Sequence, residues 1–145
     1  MVSFNKRSFY SLFSLLVVST FSSVQAQETS TIKVEKLLET ESSWDGQKYL
    51  TYPEGTPQLT MLKITIPPNS KLSWHEHAIP NAAYLLNGVL MVEKKANKAT
   101  HKLIAGDTIA EMVDEAHRGY TGNEGATILV FYAGKKGIPL STPAK

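Results

Sequence analysis

The segment LSWHEHAIPNAAYLLNG, residues Leu72 to Gly88, holds two of the chain's four histidines, with one residue between them. On a strand the side chains alternate faces, so residues i and i+2 share a face at roughly 6.6–7 Å between Cα atoms. His75 and His77 then project together, and Trp74 and Glu76 project to the opposite side. Two imidazoles placed in this way can hold one metal ion, or each can be hydrogen-bonded separately as an ordinary polar residue. The segment closes on Asn87-Gly88, a pair that tolerates positive φ and reads as a two-residue hairpin turn into VLMVEKK.

Outward from this segment the chain reads as short strands divided by turn signals. LTMLKITI (Leu59 to Ile66) is rich in β-branched residues and stops at Pro67-Pro68. Strands are expected over Leu72 to His77, Ala82 to Leu86, Thr100 to Ile104, Asp107 to Met112, His117 to Tyr120 and Ala126 to Ala133. AGD at Ala105 to Asp107 and TGNEG at Thr121 to Gly125 mark turns between them. With the strand after Asn87-Gly88 this makes about eight strands at spacings of about 8–12 residues, and no amphipathic helix, which predicts an all-β sandwich or barrel. Thr31 to Trp44 alternates only at Ile32 and Val34 and fits an edge strand or a short helix equally well. Asp45 to Gln58 is turn-rich, with Pro53, Gly55 and Pro57 as punctuation.

A third histidine, His117, follows the AGDTIAEMVDEAH segment. With it the sequence resembles the cupin superfamily of single-domain jelly-roll barrels. In the first cupin motif an HxH pair precedes a glutamate and then a glycine. His75, His77 and Gly88 match, while Asn81 holds the glutamate's position. In the second motif Gly106 and His117 match at the right separation, with Met112 for the proline, Asp114 for the glycine and Thr121 for the asparagine. The resemblance covers Leu59 to Ala133.

It implies a divalent transition metal (Fe, Mn, Ni, Zn or Cu) held by His75, His77 and His117, with Asn81 either as a fourth, neutral ligand or as a lining residue. A three-histidine set without the glutamate also resembles cupin dioxygenases, in which open metal positions take O₂ and substrate. The function implied is a dioxygenase or isomerase acting on a small organic molecule; the alternative is a non-catalytic barrel that binds a small ligand. Glu111 fits a base or a substitute ligand, or an ordinary solvent-facing strand glutamate. Tyr84 and Tyr120 are candidates to line the pocket and assist proton transfer, or are core residues. His101, in THKL outside both motifs, reads as a surface residue.

Composition narrows the setting. Lys6 and Arg7, an apolar run of roughly 13 residues and Val24-Gln25-Ala26 form a three-part pattern that fits a secretory leader cut after Ala26. The run is short of the ~20 residues of a membrane span, so no stable membrane anchor is expected. The expected product is periplasmic or secreted, with an N-terminal extension carrying an edge strand over 27–58, the barrel over 59–134 and a tail over 135–145. Without Lys6 and Arg7, 13 basic residues of 15 face 13 acidic ones. That balance gives no electrostatic basis for binding nucleic acid. The chain contains no cysteine, which removes disulfides, thiolate nucleophiles and cysteine-ligated zinc. A barrel of this size gains from sharing apolar surface, so a homodimer is expected beside the small-molecule ligand.

Overall fold

The long strand at the centre of the molecule explains how the two halves of the barrel connect. In the computed structural model, which describes residues 31–145, there is no hairpin at Asn87-Gly88. One 14-residue strand, β3 (Asn81–Lys94), runs straight through it. Earlier come β1 (Pro57–Ile66) and β2 (His75–Glu76); later come β4 (Thr100–Ile104), β5 (Thr108–Ala110), β6 (His117–Tyr120), β7 (Ala126–Lys135) and β8 (Thr142–Pro143). The first half of β3 pairs with β7 and β5, and its second half with β4 and β6. β3 therefore belongs to two sheets and bends from one into the other, the device by which orthogonal sheets make corners.

The bend is a bulge. Leu85 pairs with Ile128 and Asn87 with Thr127, which leaves Leu86 as an extra residue. Before it the buried positions are Asn81, Ala83 and Leu85; after it they are Leu90 and Val92. One inserted residue shifts the alternation by one, so both halves keep an apolar face toward the same interior. The positive φ of Gly88, 80°, is the conformation a hairpin turn would also need. Local chemistry thus allows either outcome, and the apolar partners waiting on both sides decide it.

The strand order β1-β7-β3-β6-β2-β8, with β4 and β5 also on β3, curls around one core. Ile66, Ile79, Leu85, Leu103, Ile109, Ile128 and Val130 fill it, each at most 3% exposed. Val34–Lys145 form one compact unit. Residues 31–40 carry no strand and no helix; Ile32 and Val34, whose alternation suggested an edge strand, are almost fully exposed and have no sheet partner among the described residues. The expected leader lies outside the described residues. The tail is also not loose: β8 pairs with β2, setting Pro143 opposite His75 and Thr142 opposite Glu76.

The loop at Ser43–Gln47 is fastened to β3 by Lys94, whose Nζ donates to Asp45 Oδ2 at 2.7 Å with both side chains mostly buried. Burial opposes ionisation of Asp45, but the hydrogen bonds from Lys94, Ser43 and the Gln47 amide outweigh it and hold its pKa below the usual value. A depressed carboxyl stabilises above its unfolded pKa and loses that contribution as pH falls through the folded one. Lys94→Met is expected to cost about 1–2 kcal/mol at neutral pH. Urea unfolding at pH 7 and in strong acid checks this, since the gap between variant and parent should close in acid.

Candidate metal centre

His75 on β2 pairs directly with His117 on β6, which brings together residues far apart in the chain. The three rings of His75, His77 and His117 lie with centroids 4.6–5.0 Å apart. One ring nitrogen from each falls within 4.8 Å of those of the other two, so the cluster can hold a metal ion. His77 and His117 are 2% and 1% exposed; His75 is half-buried. The turn leading to His117 depends on Asp114, at φ 55° in the second motif's glycine position, whose amide donates to the His77 carbonyl at 2.8 Å. Aspartate is among the few residues that accept the left-handed region.

Backbone carbonyls fix all three rings. Nδ1 of His75 lies 2.9 Å from the Ser73 carbonyl, Nδ1 of His77 2.7 Å from that of Leu140, and Nδ1 of His117 2.7 Å from that of Glu115. A carbonyl only accepts, so each Nδ1 carries a proton, and in the neutral ring each Nε2 presents its lone pair. This is the arrangement expected of metal-binding imidazoles.

Glu111, the residue directly after β5, completes the cluster. Its Oε2 lies 2.8 Å from Nε2 of His77 and 3.6 Å from Nε2 of His117, and its side chain is 13% exposed. Nε2 of both histidines is buried and faces no polar group other than this carboxylate. Burial opposes ionisation of Glu111, but His117 and His77 outweigh it and hold the carboxyl well below the usual range. Burial likewise works against charge on His117, yet Glu111 raises its pKa above the ordinary value. Burial dominates at His75 and lowers its pKa. Two buried lone pairs facing a carboxylate are a costly arrangement unless a cation sits between them. The three histidines therefore fit a divalent ion, and the Glu111 carboxylate lies beside them.

The other expected site residues lie elsewhere. Asn81 is buried and neither of its amide atoms has a partner, but it borders a separate groove with Tyr49, Tyr52 and Phe131 and does not line the histidine cavity. Tyr84 stands between the inward Ala83 and Leu85, and Tyr120 follows the inward Gly119, so alternation turns both to the outer face. Lys71 lies over the Tyr120 ring. His101 stacks on Trp44 at 5.5 Å. Trp74 lies opposite the histidines, flanked by Arg118 and Lys98. The sequence reading missed Tyr132, which lines the cavity 5.6 Å from the His77 ring; burial and the Glu111 charge push its pKa up, so its hydroxyl keeps its proton. Its place on β7 in step with Ile128 and Val130 is the signal that points it inward. Tyr49 was also missed; its hydroxyl donates to the Glu111 carbonyl at 2.6 Å.

No protein-family model and no curated protein matches the sequence. Solved structures match it in three dimensions. The DMSP lyase DddQ from Ruegeria pomeroyi DSS-3 superposes with a TM-score of 0.53 at 16% identity, over 59% of this chain and 43% of that one. A cupin-like protein from Thermotoga maritima MSB8 gives 0.53 at 13%, over 59% and 64%. The chain has the cupin fold. The polyketide cyclase RemF from Streptomyces resistomycificus gives 0.53 at 18%, over 63% of each chain. The match spans less than two thirds of each of these proteins, and at such identities the likeness is one of fold. Within that cupin barrel, three histidines stand where the sequence motifs place them, and the carboxylate comes from β5's side of the cavity instead of from β3.

Proposed function

We propose that this chain is an exported cupin that binds one divalent transition metal through His75, His77, His117 and Glu111 and uses it on a small organic molecule. The observation that carries the reading is the convergence of three ring nitrogens within 4.8 Å of one another, two of them buried against a single carboxylate. Three imidazoles and one carboxylate suit Mn, Fe, Ni, Zn or Cu. A bound ion of this kind supplies Lewis acidity, and with Fe, Mn or Cu also one-electron chemistry, which supports oxidation or isomerisation. The chain's own part is to exclude bulk water with Ile64, Ile128 and Val130, to orient the rings, and to keep a protonated Tyr132 beside the cavity.

The cavity beside the rings is about 50 Å³. That holds an ion and a water or a molecule of a few heavy atoms, well under the ~300 Å³ of a typical ligand pocket. This volume favours a second reading, a non-catalytic metal-holding barrel. Elemental analysis of protein purified without chelators is the first test: about one equivalent of metal is expected, and less than a tenth after reconstitution refutes both readings. Glu111→Gln, which keeps the shape and removes the charge, should weaken zinc binding by about 10–100-fold or more while the metal-free protein stays folded. Turnover of a candidate substrate that disappears in this variant favours the enzyme over the passive barrel.

A homodimer is part of the same proposal. β1 ends the strand order, so its outer edge is unpaired among the described residues, and between Gln58 and Ile66 it carries no proline and one charge, Lys63. Leu59 and Met61 on its outer face are 70% and 64% exposed, with Phe131 registered beside Met61. An unblunted edge with apolar flanks is a template for strand pairing, and an antiparallel β1–β1 contact between two copies is self-complementary. Light scattering should give twice the chain mass, and Leu59→Lys with Met61→Lys should halve it; a parent of single-chain mass overturns the dimer.

A further inference from the structure

The C-terminal stretch 135–145, whose composition reads as a tail lying along the surface or across a partner, touches a metal-site histidine. Leu140 contributes its backbone carbonyl to Nδ1 of His77 at 2.7 Å, across 63 positions of sequence. Around that contact the tail is fastened at several points. Ile138 and Leu140 pack against the hydrophobic core. β8 pairs with β2 on both of its residues, and the Ala144 amide donates to the Trp74 carbonyl at 3.0 Å. Lys95 Nζ reaches the carbonyl of Lys145 at 2.5 Å. β2 needs this partner, because its only other pairing among the described residues is the single register of His75 with His117.

We propose that the C-terminal strap, through the Leu140 carbonyl, is the positioning element that sets the tautomer and ring orientation of His77. The deduction follows from what the other side of the ring faces. Glu111 Oε2 lies 2.8 Å from Nε2. Left to itself, a neutral His77 would place its proton on Nε2 and donate it to that carboxylate, which would consume the lone pair a metal needs. The Leu140 carbonyl competes for the same proton from the opposite side. It holds the proton on Nδ1 and aims Nε2 into the cavity with its lone pair free. His75 and His117 need no such help, since their carbonyl partners, Ser73 and Glu115, lie two residues away in their own segments. His77 alone takes its partner from a distant segment, so the geometry of the centre depends on a stretch of chain that contributes no side chain to it.

This inference rests on the metal-centre reading for its consequence and on the ring geometry alone for its substance, and the test separates the two. Chains ending after Lys145, Thr142, Ser141 and Pro139 are compared in metal-free form in alkaline buffer by proton–nitrogen correlation spectra of the imidazoles. In the full chain His77 should carry its proton on Nδ1. The chains ending after Thr142 and Ser141 retain the Leu140 carbonyl and should keep that state, although both lose the Ala144 bond. The chain ending after Pro139 should move the proton to Nε2, with His75 and His117 unchanged. Zinc affinity, measured against a competing chelator, should fall by about 10–100-fold at that same step.

A full chain whose His77 is protonated on Nε2 overturns the proposal, and that measurement stands even if the shortest chain fails to fold. So does a proton that stays on Nδ1 after the carbonyl is gone, or one that leaves while the carbonyl is still present. A tail with only a structural role would lower thermal stability in steps and leave the tautomer alone. If the proton moves as stated but no chain binds zinc, the metal reading fails and the strap's control of His77 remains.

Discussion

Gly88→Ala is expected to abolish the folded barrel or leave it barely stable. A Cβ built at this position would lie 1.8 Å from the Gly125 carbonyl oxygen and 2.8 Å from its carbon, both backbone atoms of the strand start opposite. No side-chain rotation relieves such an overlap, so one of the two chains must move. The residue also sits at φ 80°, which costs an L side chain about 1–2 kcal/mol. Displacing packed backbone adds about 1–3 kcal/mol or more. The sum approaches the lower end of the roughly 5–15 kcal/mol that holds a domain folded. Gly106→Ala separates the two causes: its φ is 97°, yet nothing lies within 4 Å of the added Cβ. That variant should lose only the conformational part, about 1 kcal/mol. Paired urea titrations of the two variants check the difference, and equal losses would show that the close approach of Gly88 to Gly125 is absent in solution.

The same glycine shows how far local chemistry carries a reading. Asn87-Gly88 announces the positive φ found at Gly88, but that conformation occurs here beside a bulge in a continuous strand, not in a hairpin turn. The choice lies in β7 on one side and β4 and β6 on the other, contacts made by residues far along the chain that no short window contains. The shift of buried positions from Ala83 and Leu85 to Leu90 and Val92 was in the sequence as a change of alternation, legible once a bulge is allowed. The three histidines were legible for a different reason. The HxH spacing turns His75 and His77 the same way although β2 ends at Glu76, and His75 and His117 meet through strand pairing. Asn81 and Glu111 show the limit. Periodicity gives a face but not which end of the barrel a side chain reaches, and the carboxylate oxygen 2.8 Å from His77 comes from position 111. The tail escaped entirely, because a hydrogen bond accepted by the Leu140 carbonyl leaves no trace in residue type.

The cluster itself is tested by removing its rings one at a time, and the losses should divide into two quantities that vary independently. His117→Ala is expected to reduce metal to a small fraction of an equivalent, with an affinity loss beyond the ~10–100-fold of an outer partner, because a ligand is removed outright. It should also destabilise the metal-free protein by about 2–4 kcal/mol, since a ring 1% exposed leaves a void among core residues. His75→Ala should cost as much metal and less stability, as His75 is only half-buried. The stabilisation that metal confers on the parent, about 2.7 kcal/mol at 100 times Kd, should vanish in both. Melting curves with and without zinc report it as a shift of roughly 10–20 °C in the parent that the variants lack. His101→Ala is the control, because its ring stacks on Trp44 outside the cavity and its loss should leave both the stoichiometry and the zinc-dependent shift as they were. A His101 variant that loses metal in step with the other two would mean that binding is a generic property of the chain's imidazoles. Retention of full metal by His117→Ala would mean that the ion lies somewhere other than among the converging rings.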